Sequence, residues 1–169
     1  RLVKSQNKNN NFSYFKEIKD QKEIFEIRKA GLNILMSMKG DKKPVAFIED
    51  CAVTLDHLAE YTTKLKEIFK KYDTSGMFYA HASVGTLHVR PVLNMKSDKD
   101  INNMKKIAEE AFEMVKQYKG SHSGEHGDGI VRSEFHEKMF GKKIINAFED
   151  VKDTFDHKNL LNPNKIVRP

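Results

Sequence analysis

His81 and His88 stand seven residues apart in a stretch where apolar and polar residues alternate, and Glu125 and His126 are neighbours in a loop with glycines at 124, 127 and 129. Imidazole nitrogens and a carboxylate oxygen are ordinary ligands of a catalytic zinc-type ion, which keeps a coordination position open for substrate. An imidazole whose ordinary pKa is near 6.5 is a suitable proton acceptor at neutral pH. His81, His88 and Glu125 therefore form a candidate His2Glu metal set, and His126 a candidate general base. The glycines let the backbone adopt positive φ and approach a ligand closely, so the adjacent Glu125 and His126 side chains can face different targets.

The first pair depends on a hairpin. Phe78, Ala80, Ala82 and Val84 alternate with Tyr79, His81 and Ser83, and beyond Gly85-Thr86 the alternation resumes through Leu87, Val89 and Pro91. A two-residue loop at Gly85-Thr86 pairs Val84 with Leu87 and His81 with Arg90. His81, Ser83, His88 and Arg90 then share one sheet face, and the two histidines are diagonal neighbours about 7 Å apart at Cβ. A loop changed by one residue separates them onto opposite faces. Two half-exposed histidines on a polar face is the competing interpretation of the pair alone. A rival motif overlaps the second cluster: His122-Ser123-Gly124-Glu125-His126 fits the H-x-x-E-H pattern of inverted zinc proteases. That motif needs a helix, which Gly124, Gly127 and Gly129 oppose.

Other elements must carry these residues. Ile24, Ile27, Gly31, Ile34, Leu35 and Met38 predict a first helix over 21–38, ending before Gly40. Val45-Ala46-Phe47-Ile48, bounded by acids, predicts a short buried strand. Thr54 is a plausible N-cap for a helix to about Tyr72, and Ser97 for another ending before Gly120. A short strand at 121–123 and helical stretches near 133–139 and 142–155 complete the chain. From Val45 to Glu125 the order is βαββαβ, which predicts an α+β fold with a ferredoxin-like antiparallel sheet. Its helices lie on one face, with an N-terminal helix and C-terminal helices added.

Composition narrows the class. The 169 residues, 38% hydrophobic, suit one domain with a real core. Residues 1–20 read as a linker, polar and Asn/Lys-rich at the start, and 21–169 as the domain, consistent with an excised piece of a larger enzyme. The single cysteine, Cys51, excludes an internal disulfide framework or a cysteine cage. The net charge of +6 comes from lysines that alternate with acids on helical stretches, without a basic stripe of interleaved aromatics, so no nucleic-acid partner is expected. No run is long and apolar enough for a membrane span.

The hairpin Ala80 to Pro91, the loop Ser123-Gly124-Glu125-His126-Gly127-Asp128-Gly129 and the tail Asn162-Pro163-Asn164-Lys165-Ile166 resemble the C-terminal cap domain of FAD-linked oxidases. These are flavoproteins of the vanillyl-alcohol-oxidase superfamily, including enzymes of the D-lactate dehydrogenase, glycolate oxidase and D-2-hydroxyglutarate dehydrogenase types. Coverage runs from about Ile24 to the end. Residues 28–32 and 40–50 look closest to the subgroup fused to an iron–sulfur domain.

The resemblance implies a cap packed over FAD held by a separate FAD-binding domain that this chain lacks, and a divalent metal, zinc above all, on His81, His88 and Glu125. It implies that the metal holds the hydroxyl and carboxylate of a small 2-hydroxy acid, that His126 takes the hydroxyl proton, and that hydride passes to the flavin. Arg28, and more weakly Lys43, would grip a substrate carboxylate, while Asn162 and Lys165 would lie on the cofactor side. Val84 and Thr86 depart from the family's usual Asp and Asn in the hairpin, and Asn164 replaces the usual Gly of the tail.

The leading expectation is thus the substrate and metal domain of an FAD-dependent 2-hydroxy-acid dehydrogenase, inactive alone. It would be cytoplasmic, or membrane-associated through electron-transfer partners. The two competing classes are a stand-alone metal-dependent hydrolase and a non-catalytic ferredoxin-like interaction module.

Overall fold

The period-two stretch forms the centre of the sheet in the computed structural model, which describes residues 15–169. In chain order the elements are α1 (Ile18–Met36), β1 (Lys42–Pro44), β2 (Cys51–Ala52), α2 (Leu55–Lys71) and β3 (Gly76–His81). They continue with β4 (Thr86–Asn94), α3 (Asp98–Gln117), α4 (His136–Phe140) and α5 (Lys142–Phe155). Short 3-10 turns cover Ala82–Val84 and Ser133–Phe135. Backbone contacts divide the chain into two units, 1–37 and 38–169.

The first unit carries α1, whose stripe of Ile24, Ile27 and Ile34 is exposed. The helix starts at Ile18, inside the stretch expected to be linker, and residues 1–14 of that stretch lie outside the described residues.

In the second unit β4 is the central strand, with β3 on one edge and β1 and β2 on the other, all antiparallel. Leu87, Val89 and Leu93 of β4 face a core that Tyr61, Leu65 and Phe69 of α2 complete with Ile107, Ala111, Phe112 and Val115 of α3. Full burial of each large aliphatic or aromatic side chain contributes about 1.5–3 kcal/mol, so this face holds the unit together. Thr54 and Ser97 do occupy the N-cap positions of α2 and α3, but neither hydroxyl bonds a helix N–H.

The architecture is α+β as expected, with three differences. Residues 45–48 are not a strand. Pro44 pairs with Val92, and continuing that register would set residue 49 opposite Leu87, yet Cys51 stands there. The chain therefore fits two extra residues between β1 and β2, and it buries the consecutive Phe47 and Ile48, which period-two geometry cannot do. The strand expected at 121–123 is reduced to one bridge, Ser121 to Ala52, because the Ser121 hydroxyl turns to the Ser123 carbonyl at 2.7 Å and ends the pairing. Among the described residues the full ferredoxin-like set of strands is accordingly incomplete.

The third difference lies in the hairpin. His81 pairs with Thr86 and Tyr79 with His88, so the loop is the four residues Ala82 to Gly85 rather than Gly85-Thr86. Gly85 has φ +76°, the left-handed residue that ends such a loop, and its carbonyl accepts the Val53 N–H at 3.1 Å. A Cβ at Gly85 would lie 1.9 Å from the Val53 oxygen, which fixes glycine here. The pairing shifts by an even number of residues, so His81 and His88 keep a common face and remain diagonal neighbours.

Candidate metal and proton-transfer site

His88 projects from the middle of β4 and is 2% exposed, while His81 at the end of β3 is half-exposed. Their rings meet edge to face with centroids 5.2 Å apart. Both Nε2 atoms point at one oxygen of Glu125: His88 at 2.9 Å and His81 at 3.3 Å from Oε1. His126 stacks on His88, with centroids 4.8 Å apart and planes within 8°. The four residues thus assemble from a strand pair and a loop distant in sequence.

The loop is held by a residue outside that group. Asp50, fully buried with φ 80°, accepts the Glu125 N–H at 2.9 Å and the His126 N–H at 2.7 Å on its carboxylate. Its own carbonyl accepts the Gly124 N–H at 2.7 Å, and a Cβ on Gly124 would sit 3.0 Å from that carbonyl. Arg132 completes the clamp from the far side, donating to the carbonyls of Gly127 and, at 3.1 Å, Glu49. Charge-assisted bonds of this kind are about twice as strong as neutral ones, and they fix where Glu125 and His126 begin.

Glu49 faces the ring of His126. Its Oε1 lies 3.4 Å from His126 Nδ1, and its Oε2 forms an ion pair with Arg90 Nη2 at 2.7 Å. A carboxylate on Nδ1 sets the imidazole tautomer that leaves Nε2 able to take a proton, and Nε2 faces the Glu125 side, 3.6 Å from Oε1. Burial lowers the His88 pKa below its ordinary value, with the nearby His126 adding to the effect, so His88 is neutral at neutral pH and keeps a lone pair for a cation.

These residues fit a divalent ion. Two ligands each about 2.1 Å from a tetrahedral ion are about 3.4 Å apart, and the observed 2.9 and 3.3 Å separations are close to that spacing. The buried Nδ1 of His88 makes no hydrogen bond. Asp50 also lies within ligand range of His88, Glu125 and His126, but both its oxygens already accept backbone N–H groups, so it acts as a positioning residue. His81, Glu125 and His126 each keep about two-fifths of the side chain exposed, leaving the cluster open on one side.

The remaining expected residues lie elsewhere. Arg28 is on α1, in the first unit. Lys43 is opposite Leu93 in the sheet, on the core side of β4 rather than the His88 side, and its ammonium donates to the Met38 carbonyl. Asn162 and Lys165 line a cleft of about 460 Å³ with Asp128, Gly129, Ile130 and Lys152. Asn162 and Asn164 both take positive φ, 45° and 56°, so Asn164 adopts the left-handed conformation that its replacement of glycine requires. Asp156 anchors this tail by accepting the N–H groups of Leu160 and Leu161, each at 2.9 Å. Glu49, Asp50 and Arg132 were not singled out from the sequence; the only signal for the first two was the pair of acids closing the apolar run at 45–48.

Compared with known families, residues 4–166 match the family described as FAD linked oxidases, C-terminal domain. The chain is 36% identical over 146 residues to a D-2-hydroxyglutarate dehydrogenase of Pantoea ananatis, covering 86% of this chain and 14% of the relative. It is 34% identical over 154 residues to the Escherichia coli D-2-hydroxyglutarate dehydrogenase, covering 91% of this chain and 15% of the relative. A more distant relative is the glycolate oxidase subunit GlcD of Bacillus subtilis, 29% identical over 143 residues, 85% of this chain and 30% of that protein. The chain therefore spans about a seventh of the D-2-hydroxyglutarate dehydrogenases it matches. No helix among the described residues is long and apolar enough to cross a membrane. With a match from residue 4 to 166 and an α+β fold that gathers the hairpin histidines and the Glu-His loop, the chain belongs to the FAD-linked oxidase C-terminal domain family.

Proposed function

We propose that this chain is the substrate- and metal-binding domain of an FAD-dependent dehydrogenase that oxidises a small 2-hydroxy acid to the 2-oxo acid. The observation that carries the reading is the convergence of His81 and His88 on one oxygen of Glu125, with His126 stacked alongside and held by Glu49. When bound, a divalent ion, zinc above all, supplies charge that acidifies a substrate hydroxyl, and FAD supplies the oxidant for the C–H bond. His81, His88 and Glu125 hold the ion and leave open positions on the exposed side. His126 Nε2 accepts the hydroxyl proton while Glu49 stabilises the resulting imidazolium through Nδ1. Arg28 is assigned to a substrate carboxylate, for which its planar fork is suited, with Lys43 the weaker candidate.

Asn162 and Lys165 are assigned to the face that meets the FAD-binding domain of the same protein. The cleft they share with Asp128 and Gly129 supports this, because it adjoins the Glu-His loop on the tail side. An iron–sulfur domain is proposed as a further part of the whole protein, and a cytoplasmic location, or a membrane-associated one through electron-transfer partners, for the assembly.

The test is dye reduction by the full-length protein offered D-lactate, glycolate and D-2-hydroxyglutarate in turn. At least one should reduce the dye, and His126→Ala should lower turnover about 10²–10⁴-fold while leaving the flavin absorbance in place. Lack of reduction with every 2-hydroxy acid contradicts the reaction class, and full activity in the variant contradicts the base.

A further inference from the structure

A second group of ligand-type side chains lies in the same unit, outside the cluster just described. His122 follows the bridge at Ser121, Asp128 ends the Glu-His loop, and His136 opens α4. His122 is 0% exposed and His136 2%, and none of their four ring nitrogens has a hydrogen-bond partner. Leaving buried polar atoms unpaired is costly, so two adjacent rings in this state call for a partner, and a bound ion takes one nitrogen from each.

The geometry points to a second divalent-metal site, formed by His122, Asp128 and His136 and suited to a zinc-like transition ion. His122 Nε2 is 3.7 Å and His136 Nε2 3.0 Å from oxygens of Asp128, and one donor atom from each of the three residues falls within 4.8 Å of the others. The first runs to Oδ1 and the second to Oδ2, and each is near the about 3.4 Å between ligands of a tetrahedral ion. The rings stand at 87° with centroids 5.5 Å apart, so they approach a shared point from different directions rather than stacking. Arg132, 3.4 Å from Asp128 Oδ1, favours the ionised carboxylate a ligand must be, and Oδ2 still faces His136. Burial lowers the pKa of His122, which keeps its imidazole neutral and able to donate a lone pair.

Phe112 and Phe140 pack edge-on against His122, and His136 lies against Phe140, so the site is walled by aromatic rings. Three protein ligands leave a fourth position for a water, and the burial of the set keeps substrate away from it, so the ion holds the fold locally. The ion ties together the segment after α3, the Glu-His loop and the start of α4. It would fix Asp128 two residues beyond His126 without taking part in the reaction.

This inference does not depend on the reading of the first site, and cobalt(II) titration of the full-length protein tests the two separately. In the double variant His81→Ala/His88→Ala, one equivalent of cobalt should still bind and give the intense visible bands of four-coordinate cobalt. Adding either His122→Phe or His136→Phe, each chosen to suit the aromatic wall, should abolish that binding and those bands. If the wild-type protein binds one equivalent and the double variant none, the second site is overturned and the first stands. If one equivalent persists in both the His122→Phe and the His136→Phe additions, the second site is likewise overturned. If the double variant binds as much as the wild type while either Phe variant alone loses an equivalent, the second site stands and the first fails.

Discussion

The buried carboxylate of Asp50 accepts the backbone N–H of His126 at 2.7 Å, so a residue between two short strands determines where the proposed base sits. The same carboxylate takes the Glu125 N–H at 2.9 Å. Asp50→Asn would set an amide NH2 against one of these donors. Metal affinity of the full-length protein should fall about 10–100-fold, as is typical when a partner of a ligand-bearing segment is removed. Equilibrium dialysis against zinc reads this directly, and unchanged affinity would remove Asp50 from the positioning role.

Gly85 is the hinge of the histidine hairpin. Gly85→Ala forces a left-handed conformation costing about 1–2 kcal/mol and drives a Cβ to within 1.9 Å of the Val53 oxygen. Thermal unfolding should show a destabilisation larger than the conformational penalty alone, and bound metal should decline because His81 closes the other side of that loop. An unchanged melting temperature would contradict the close approach.

Cys51 is buried against the core, and desolvation pushes its pKa up to about 12. The thiolate is the reactive form, so the native protein should resist alkylation by iodoacetamide at neutral pH and react fully once denatured. Mass spectrometry before and after denaturant distinguishes the states; rapid labelling of the native protein would show that the thiol is accessible.

The tail responds to acid. Lys152 and the N–H groups of Leu160 and Leu161 hold the Asp156 carboxyl down at about 2, below the ordinary 3.8. A carboxyl depressed in the folded state contributes stability fully above its unfolded value and loses it as pH falls through the folded one. The tail contacts should therefore weaken between about pH 4 and 2, and Asp156→Asn should remove that part of the acid dependence. Amide exchange at Leu160 and Leu161 followed against pH checks the sign: protection that rises on acidification would contradict it.

How far the sequence reveals this site depends on which feature is considered. The common face of His81 and His88 was legible because side-chain direction alternates with period two, so a four-residue loop in place of a two-residue one left it intact. The loop length itself was not legible, because Gly85 suits either turn. The run at 45–48 looked like a strand by hydrophobicity, but the two extra residues before Cys51 reflect pairing with β4, which local sequence does not encode. The roles of Glu49 and Asp50 are hidden for the same reason, since their partners at 90 and 124–126 are distant in the chain. In the sequence His122 belongs only to the rival protease motif, and its proximity to His136 emerges only when α4 folds back over α3.

The central claim is that His81, His88 and Glu125 share one divalent ion. Anomalous diffraction at the zinc edge from crystals of the full-length protein tests it most directly. The account predicts a peak about 2.0–2.2 Å from His81 Nε2, His88 Nε2 and a Glu125 oxygen. Zinc-loaded crystals with no anomalous peak among those three residues would contradict it.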